Sequence, residues 1–389
     1  MQGVPSIPLL PGGGGDGMKI GIIDADILSR PRHRFPNLAC MKMSGFFKRE
    51  GHQVSLVQDY EEAGAFDRLY LSRVFKDTFV PSEILKLGNL SYGGTGFYYD
   101  KAPKLPDEIE HCMPDYHLYD AFIEKIRRYG ESASVYKFYR DYSIGFLTRG
   151  CFRKCPFCVN RNSTQAVPAS PLEEFLDEKR KKLCFLDDNF LACPQWEGIL
   201  DKVLETGKRY QFRQGLDLRI MQKKQMEKLF SGKLDDKVYF AFDDIRDKDR
   251  IIRKLDLLYE TVKVRMNSIR IYVLCGFDRT GKWEDGFWYQ DIRDTLERVR
   301  ILMGFGCLPY IMRYEKCWVS PYMGMYIVIG RWCNQPAQFT KKSLREFCTL
   351  QGGSSLRYLE EFEKAYPQIS GYLDMKYGEV AANGALYRG

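Results

Sequence analysis

No apolar run in the 389-residue sequence approaches the roughly 20 residues needed to cross a bilayer, so no membrane span is expected. The opening stretch, MQGVPSIPLLPGGGGDG, lacks a basic n-region and a continuous apolar h-region, so it does not read as a signal peptide. Its glycines and prolines predict a flexible extension over residues 1–17. A dense Lys/Arg block with interleaved aromatics is missing. The net charge of +8 would suit an anionic partner such as nucleic acid, and it suits plain solubility equally well. Histidine is scarce, with four in all. Low-complexity segments and sequence repeats are lacking too. What remains is the composition of a cytoplasmic globular protein, 44% hydrophobic and 28% charged, too long for one core.

Cysteine, by contrast, is plentiful: twelve residues. Without an export signal they argue against a disulfide scaffold and for reduced thiols, some of them ligands. Cys40, Cys112, Cys275, Cys307 and Cys348 lie in apolar or mixed contexts and read as small hydrophobes.

The chain pattern is α/β. MKIGIIDAD reads as a strand ending in Asp24 and Asp26, FPNLACMKMSGFFKREG as a helix stopped at Gly51, and HQVSLV as a second strand. FDRLYLSRVF continues as a strand, and LSYGGTGFYY reads as a turn-rich loop. A Rossmann-like, doubly wound domain is expected over 18–120, followed by a linker helix over 121–142. From Ser143, strands SIGFLT, KLCFLDD, YQFRQGLD, KVYFAFDD, SIRIYVLCG and CLPYIMR alternate with helical segments, among them PLEEFLDEKR and PQWEGILDKVLETG. Six β/α repeats predict a parallel sheet or partial (β/α)6 barrel over 143–335, with chemistry at the C-terminal strand ends. A short C-terminal helical region is expected over 336–389.

TRGCFRKCPFC spaces Cys151, Cys155 and Cys158 as C-x3-C-x2-C, directly after the strand SIGFLT. Thiolates are soft ligands suited to iron–sulfur clusters, and such short spacing lets one loop curl around one cluster. Three thiolates on a [4Fe–4S] cluster leave one iron open to a ligand bearing an amine and a carboxylate. A structural zinc loop using CPFC with Cys184 and Cys193 is the alternative, although C-x8-C is a poor second pair. Cys193, Cys275, Cys317 and Cys333 match no compact pattern for a second cluster.

This motif resembles that of the radical S-adenosylmethionine superfamily, down to the aromatic Phe157 before the third cysteine. The resemblance implies that the open iron binds the methionyl amine and carboxylate of S-adenosylmethionine. One electron, from a donor such as flavodoxin or ferredoxin, then yields methionine and a 5′-deoxyadenosyl radical that abstracts hydrogen from a substrate. Phe157 would contact the adenine. FLDDNF, with Asp187, Asp188 and Asn189, is similar to the segment that lies near the methionyl amine in enzymes with a cobalamin-type domain; capping of the next helix is the competing role. FRQGLDLR sets Gln214, Asp217 and Arg219 toward S-adenosylmethionine or substrate, or else forms a buried pair or turn. Asp243 and Asp244 are candidates for a ribose contact. Gly276 marks close backbone approach to a ligand or a plain turn.

Residues 18–119 resemble the cobalamin-binding-type domain that precedes the barrel in one branch of the superfamily. With the cysteine motif, the resemblance spans roughly four-fifths of the chain. It has a gap: none of His33, His52, His111 and His117 sits in Asp-x-His-x-x-Gly, the pattern that supplies an imidazole to cobalt. His33 could instead contact phosphate or substrate, and Gly93, Gly94 and Gly96 could serve turns or substrate binding. Cobalamin is therefore a candidate cofactor on fold analogy. A cobalamin-dependent methyltransferase, a cobalamin-free radical enzyme and a non-enzymatic iron–sulfur or zinc module all stay open.

Overall fold

The structure, a computed structural model, describes residues 17–382. The expected extension lies outside the described residues except for Gly17. By its contacts the chain divides into two compact units, one of residues up to Thr164 with Pro168–Leu186, the other of Gln165–Val167 with the chain from Asp187 onward. The cysteine loop belongs to the first unit, so the expected 143–335 segment contributes to both.

The first unit is built on strands β1 (Lys19–Asp24), β2 (Gln53–Leu56), β3 (Arg68–Ser72) and β4 (Leu90–Gly93). All pair in parallel, in the order β2-β1-β3-β4. Short helix α1 (Ala25–Ser29) follows β1, and helix α2 (Leu38–Arg49) makes the crossover to β2. The Asn37 side chain caps α2 by accepting from the amides of Ala39 and Cys40, and Gly51 at φ +87° ends it. Because both faces of a parallel sheet are covered, β1 is apolar on each side. Ile20 and Ile22 pack with Met41, Met43, Phe47 and Tyr70, while Ile23 packs on the opposite face with Val57, Leu69 and Leu71. LSYG, expected as loop, is strand β4. Its pairing of Leu69 with Leu90 outweighs the turn signals of the glycines that follow.

Short helices α3 (Thr95–Tyr98) and α4 (Asp107–Glu110) follow β4, then α5 (Asp120–Arg128) and α6 (Lys137–Arg140). Strand β5 (Tyr142–Gly145) comes next, with the two-residue strands β6 (Thr148–Arg149) and β7 (Val167–Pro168), and β8 (Lys182–Phe185) pairs parallel with β5. PLEEFLDEKR, expected as a helix, winds only through a 3-10 turn at Leu172–Glu174. Tertiary anchors win there: the amide of Asp177 donates to Ser143 Oγ at 3.0 Å, and Arg180 donates to the carbonyls of Tyr139 and Tyr116 at 2.8 and 3.0 Å.

In the second unit, β9 (Arg209–Phe212) is followed by β10 (Val238–Ala241), β11 (Ile269–Cys275) and β12 (Leu308–Arg313), the last three forming a parallel sheet. β9 leads into an isolated parallel bridge from Leu216 to Phe240. Helices α7 (Trp196–Glu205), α8 (Lys223–Ser231), α9 (Lys248–Thr261) and α10 (Asp285–Gly304) fall where the sequence predicts them. Helix α11 (Met323–Cys333) carries no such signal. It is buried on nearly every side and so shows no amphipathic stripe. The described chain closes with α12 (Pro336–Phe339), α13 (Leu344–Gln351), α14 (Gly353–Ala365), α15 (Ser370–Leu373) and α16 (Tyr377–Ala382). No helix among the described residues is long and apolar enough to cross a membrane.

Candidate functional site

The cysteine loop leaves the parallel β5–β8 pair and folds into consecutive turns. The Cys158 amide donates to the Cys155 carbonyl at 3.0 Å and the Arg161 amide to the Cys158 carbonyl at 3.3 Å. All three cysteines are half-buried thiols outside any disulfide. Two amides point at sulfur: Arg153 N–H to Cys151 Sγ and Asn160 N–H to Cys158 Sγ, each at 3.4 Å. Backbone amides aimed at sulfur are among a protein's means of tuning an iron–sulfur centre.

Among the described residues, no three His, Cys, Asp or Glu side chains are gathered tightly enough for a single metal ion. A tetrahedral zinc ion needs its sulfurs within about 4 Å of each other. A cubane takes each thiolate at its own corner and so asks less of the loop. Cys184, the proposed third zinc ligand, lies in the core with Tyr142 and Ile144. Cys151, Cys155 and Cys158, three soft thiols on one short loop, are the kind of donor set an iron–sulfur cluster takes, and the remote zinc candidates Cys184 and Cys193 are buried.

A segment that sequence reasoning passed over reaches this loop. The Tyr99 hydroxyl donates to the Phe157 carbonyl at 2.6 Å, and Asp100 pairs with Arg161 at 2.7 Å. Phe157 itself is half-buried. The signal was visible as an aromatic-acid pair, YYDK, beside the GGTGF turn.

The strand-end residues of the second unit divide. Asp187 and Asn189 are buried and Asp188 is half-buried. Asn189 precedes a 3-10 turn without capping it through its side chain, so the capping role expected for it is not seen. Gln214 is exposed. Asp217 and Arg219 form the ion pair the sequence allowed, at 2.7 Å, extended by Arg219 to Asp247 at 2.8 Å. Burial raises the Asp243 carboxyl to about 6, against the pull of Arg298 and Arg219. Asp244 is held down to about 2 by its hydrogen bonds with Arg246. At Gly276, φ is +75° and an added Cβ would lie 2.2 Å from Cys317 Sγ, so internal packing accounts for the glycine. Cys317 also donates to the Cys275 carbonyl at 3.5 Å, and both thiols are buried.

At the carboxyl edge of the first sheet, the side chains bind one another. Asp24 accepts from the Tyr119 hydroxyl at 2.7 Å, and Asn37 Nδ2 donates to Ser72 Oγ at 2.9 Å. Asp26 accepts from the Val74 amide at 2.7 Å and from the Thr78 hydroxyl. His33 packs edge-on against Phe75, its ring 5.6 Å away, and burial lowers its pKa. Gly94 and Gly96 are held close to the backbone at Arg73 and Phe75, where a Cβ would sit 2.3 and 2.8 Å from their carbonyl oxygens, respectively.

No family model and no curated protein matches the chain. Solved structures that it resembles include the cobalamin-dependent S-adenosylmethionine radical enzyme OxsB with aqua-cobalamin bound, at 14% identity and a TM-score of 0.45, covering 73% of this chain and 52% of that one. The same enzyme with aqua-cobalamin and S-adenosylmethionine bound gives 14% identity and 0.45, covering 90% and 61%. The chain thus spans between about half and three-fifths of the length of those proteins.

Proposed function

We propose that this chain is a radical S-adenosylmethionine enzyme in which Cys151, Cys155 and Cys158 hold a [4Fe–4S] cluster. The observation that carries the reading is the loop itself: three half-buried thiols on consecutive turns after a parallel strand, two of them receiving backbone amides. When bound, the cluster would supply the electron that splits S-adenosylmethionine into methionine and a 5′-deoxyadenosyl radical. The chain's own residues bind and orient. The cysteines leave one iron open, Phe157 offers a ring for the adenine, and Asp187, Asp188 and Asn189 offer polar atoms for the methionyl group. Gln214, after β9, and the ion-paired Asp217 and Arg219 are the further candidates for facing S-adenosylmethionine or substrate. We place these groups on a partial (β/α)6 barrel preceded by a cobalamin-binding-type domain.

The cobalamin-free form is favoured by the first sheet. Ligands of open α/β sheets settle in the crevice where strand order reverses, here between β1 and β3. Asp24, Asp26, Asn37 and Ser72, all buried, spend their polar groups there on the chain itself. No imidazole stands in the cobalt-binding pattern, so we derive no methyl transfer through cobalt.

The test is anaerobic reconstitution with iron and sulfide, followed by reduction with S-adenosylmethionine present. The expected result is about four irons per chain and 5′-deoxyadenosine, both lost in Cys155→Ala. Zinc in place of iron, or deoxyadenosine formation that survives Cys155→Ala, would overturn the reading. Cobalt retained after hydroxocobalamin is supplied and gel-filtered away would restore the cobalamin-dependent form.

A further inference from the structure

The geometry points to Tyr99 and Asp100 as positioning residues for the cysteine loop: a clamp carried by the first sheet that fixes the backbone at Pro156–Phe157 and the loop's exit at Arg161–Asn162. Five contacts converge there. The Tyr99 hydroxyl donates to the Phe157 carbonyl at 2.6 Å. Asp100 Oδ2 receives Arg161 Nε at 2.7 Å and Asn162 Nδ2 at 3.0 Å. Arg161 in turn donates to the Pro156 carbonyl at 3.3 Å and lies over the Tyr99 ring, 5.6 Å from its centre. The clamp therefore grips the loop immediately before its third cysteine and again three residues after it.

Backbone geometry supports the assignment. Tyr99 has φ +51° and ψ −114°, values close to those of the first central position of a type II′ turn, where glycine is the usual residue. Only Asp236 and Trp283 share its positive φ among the described non-glycine residues. A side chain kept where glycine would be easier indicates that the side chain is needed, and its hydroxyl is the group that touches the loop. The glycines of GGTGF gain a reason as well. Gly94 and Gly96 let the turn press against the backbone at Arg73 and Phe75, which anchors the clamp to the end of β3. Asp100 is nearly enclosed, with 9% of its side chain exposed, and Arg161 holds its carboxyl below the usual range.

A clamp of this kind matters because metal geometry is set by residues that orient the ligands as much as by the ligands. The consequence for a cluster rests on the function proposed above, but the clamp can be tested without iron. In the full-length, metal-free protein, hydrogen exchange at residues 155–162 is expected to rise at least tenfold in Tyr99→Phe and in Asp100→Asn. Exchange in β1 and β11 should stay unchanged. Asp100→Glu, which keeps the charge, should restore most of the protection. After reconstitution, the same two substitutions should alter the line shape of the reduced cluster's paramagnetic signal while iron content stays at the wild-type level. Unchanged exchange at 155–162 in both variants overturns the clamp, and so does a rise spread evenly over the whole chain. If the wild-type protein takes up no iron, the functional reading fails while the exchange result still decides the clamp.

Discussion

Two polar clusters of the first unit follow parallel strands, and they are finished in opposite ways. At the carboxyl edge of β1 and β3, each polar side chain is matched by another part of the same chain: Asp24 by Tyr119, Asn37 by Ser72, Asp26 by Val74 and Thr78. In the cysteine loop after β5 the sulfurs stay half-buried, and the backbone directs amides toward two of them. A closed set stabilises the fold, because a buried donor or acceptor left without a partner costs about 1–3 kcal/mol. A set of half-buried thiols contributes little to folding, which leaves them free to serve the ligand role proposed above. Both motifs stand out in the sequence, and under the proposed function only the second receives a ligand.

The sharpest way to break this comparison is to exchange the consequences. Cys155→Ala should abolish iron uptake and reduce deoxyadenosine formation at least 100-fold, while changing stability by less than about 1 kcal/mol. Asp26→Ala should do the reverse. It strands the Val74 amide and the Thr78 hydroxyl in a buried site, so unfolding of the first unit should become easier by about 3 kcal/mol. Folded protein should still take up iron normally. Denaturant titration paired with iron analysis reads both, and iron loss from stable Asp26→Ala protein would show that the two clusters are coupled.

A smaller effect separates them by pH. Burial, reinforced by the charge of Asp26, raises the Asp24 carboxyl to about 7 against the hydrogen bond from Tyr119. In the unfolded chain the same group titrates near 4, at about its ordinary value. Between those values the folded state holds a proton that the unfolded state has released, so stability is greatest at low pH and falls as pH rises toward about 7. The difference between wild type and Asp24→Asn isolates this group from the other carboxylates. Chemical denaturation at pH 5 and pH 7.5 should show wild type losing more stability than Asp24→Asn over that interval. Parallel losses would place the Asp24 titration elsewhere.

Much of this was legible in the sequence, for identifiable reasons. Strand β1 and helix α2 follow from a compact apolar run, an Asn37 cap and a Gly51 stop, each a local signal. The cysteine loop stood out because residue spacing can be read without knowledge of the fold, and its ligand role remains the proposal made above. Asp217 and Arg219 were readable as a pair because they lie two residues apart, and the 2.7 Å bridge bears that out. What stayed hidden depended on distant partners. Helix α11 has no amphipathic period because it is covered all round, and PLEEFLDEKR has helical composition that Ser143 and Arg180 override. Asp24 finds Tyr119 95 residues away, and Tyr99 finds Phe157 58 residues away. Gly276 was open between a ligand contact and a plain turn, because a sequence does not disclose Cys317 Sγ 2.2 Å from where its Cβ would stand.

The smallest expected effects come from two glycines that share a positive φ and differ in their surroundings. Gly94 and Gly51 both hold positive φ, +105° and +87°. At Gly94 a Cβ would meet the Arg73 carbonyl oxygen at 2.3 Å, whereas at Gly51 nothing lies within 4 Å. Alanine at Gly51 therefore meets only conformational strain, about 1 kcal/mol. Alanine at Gly94 adds a clash with backbone that cannot swing aside, and the total should reach about 2–3 kcal/mol. The comparison extends to the loop, because the turn carrying Tyr99 and Asp100 starts at Gly94. Gly94→Ala should loosen exchange protection at residues 155–162, and Gly51→Ala should leave it untouched. Equal destabilisation by the two substitutions would mean that the β4 turn gives way easily, and a yielding turn could not hold the loop in place.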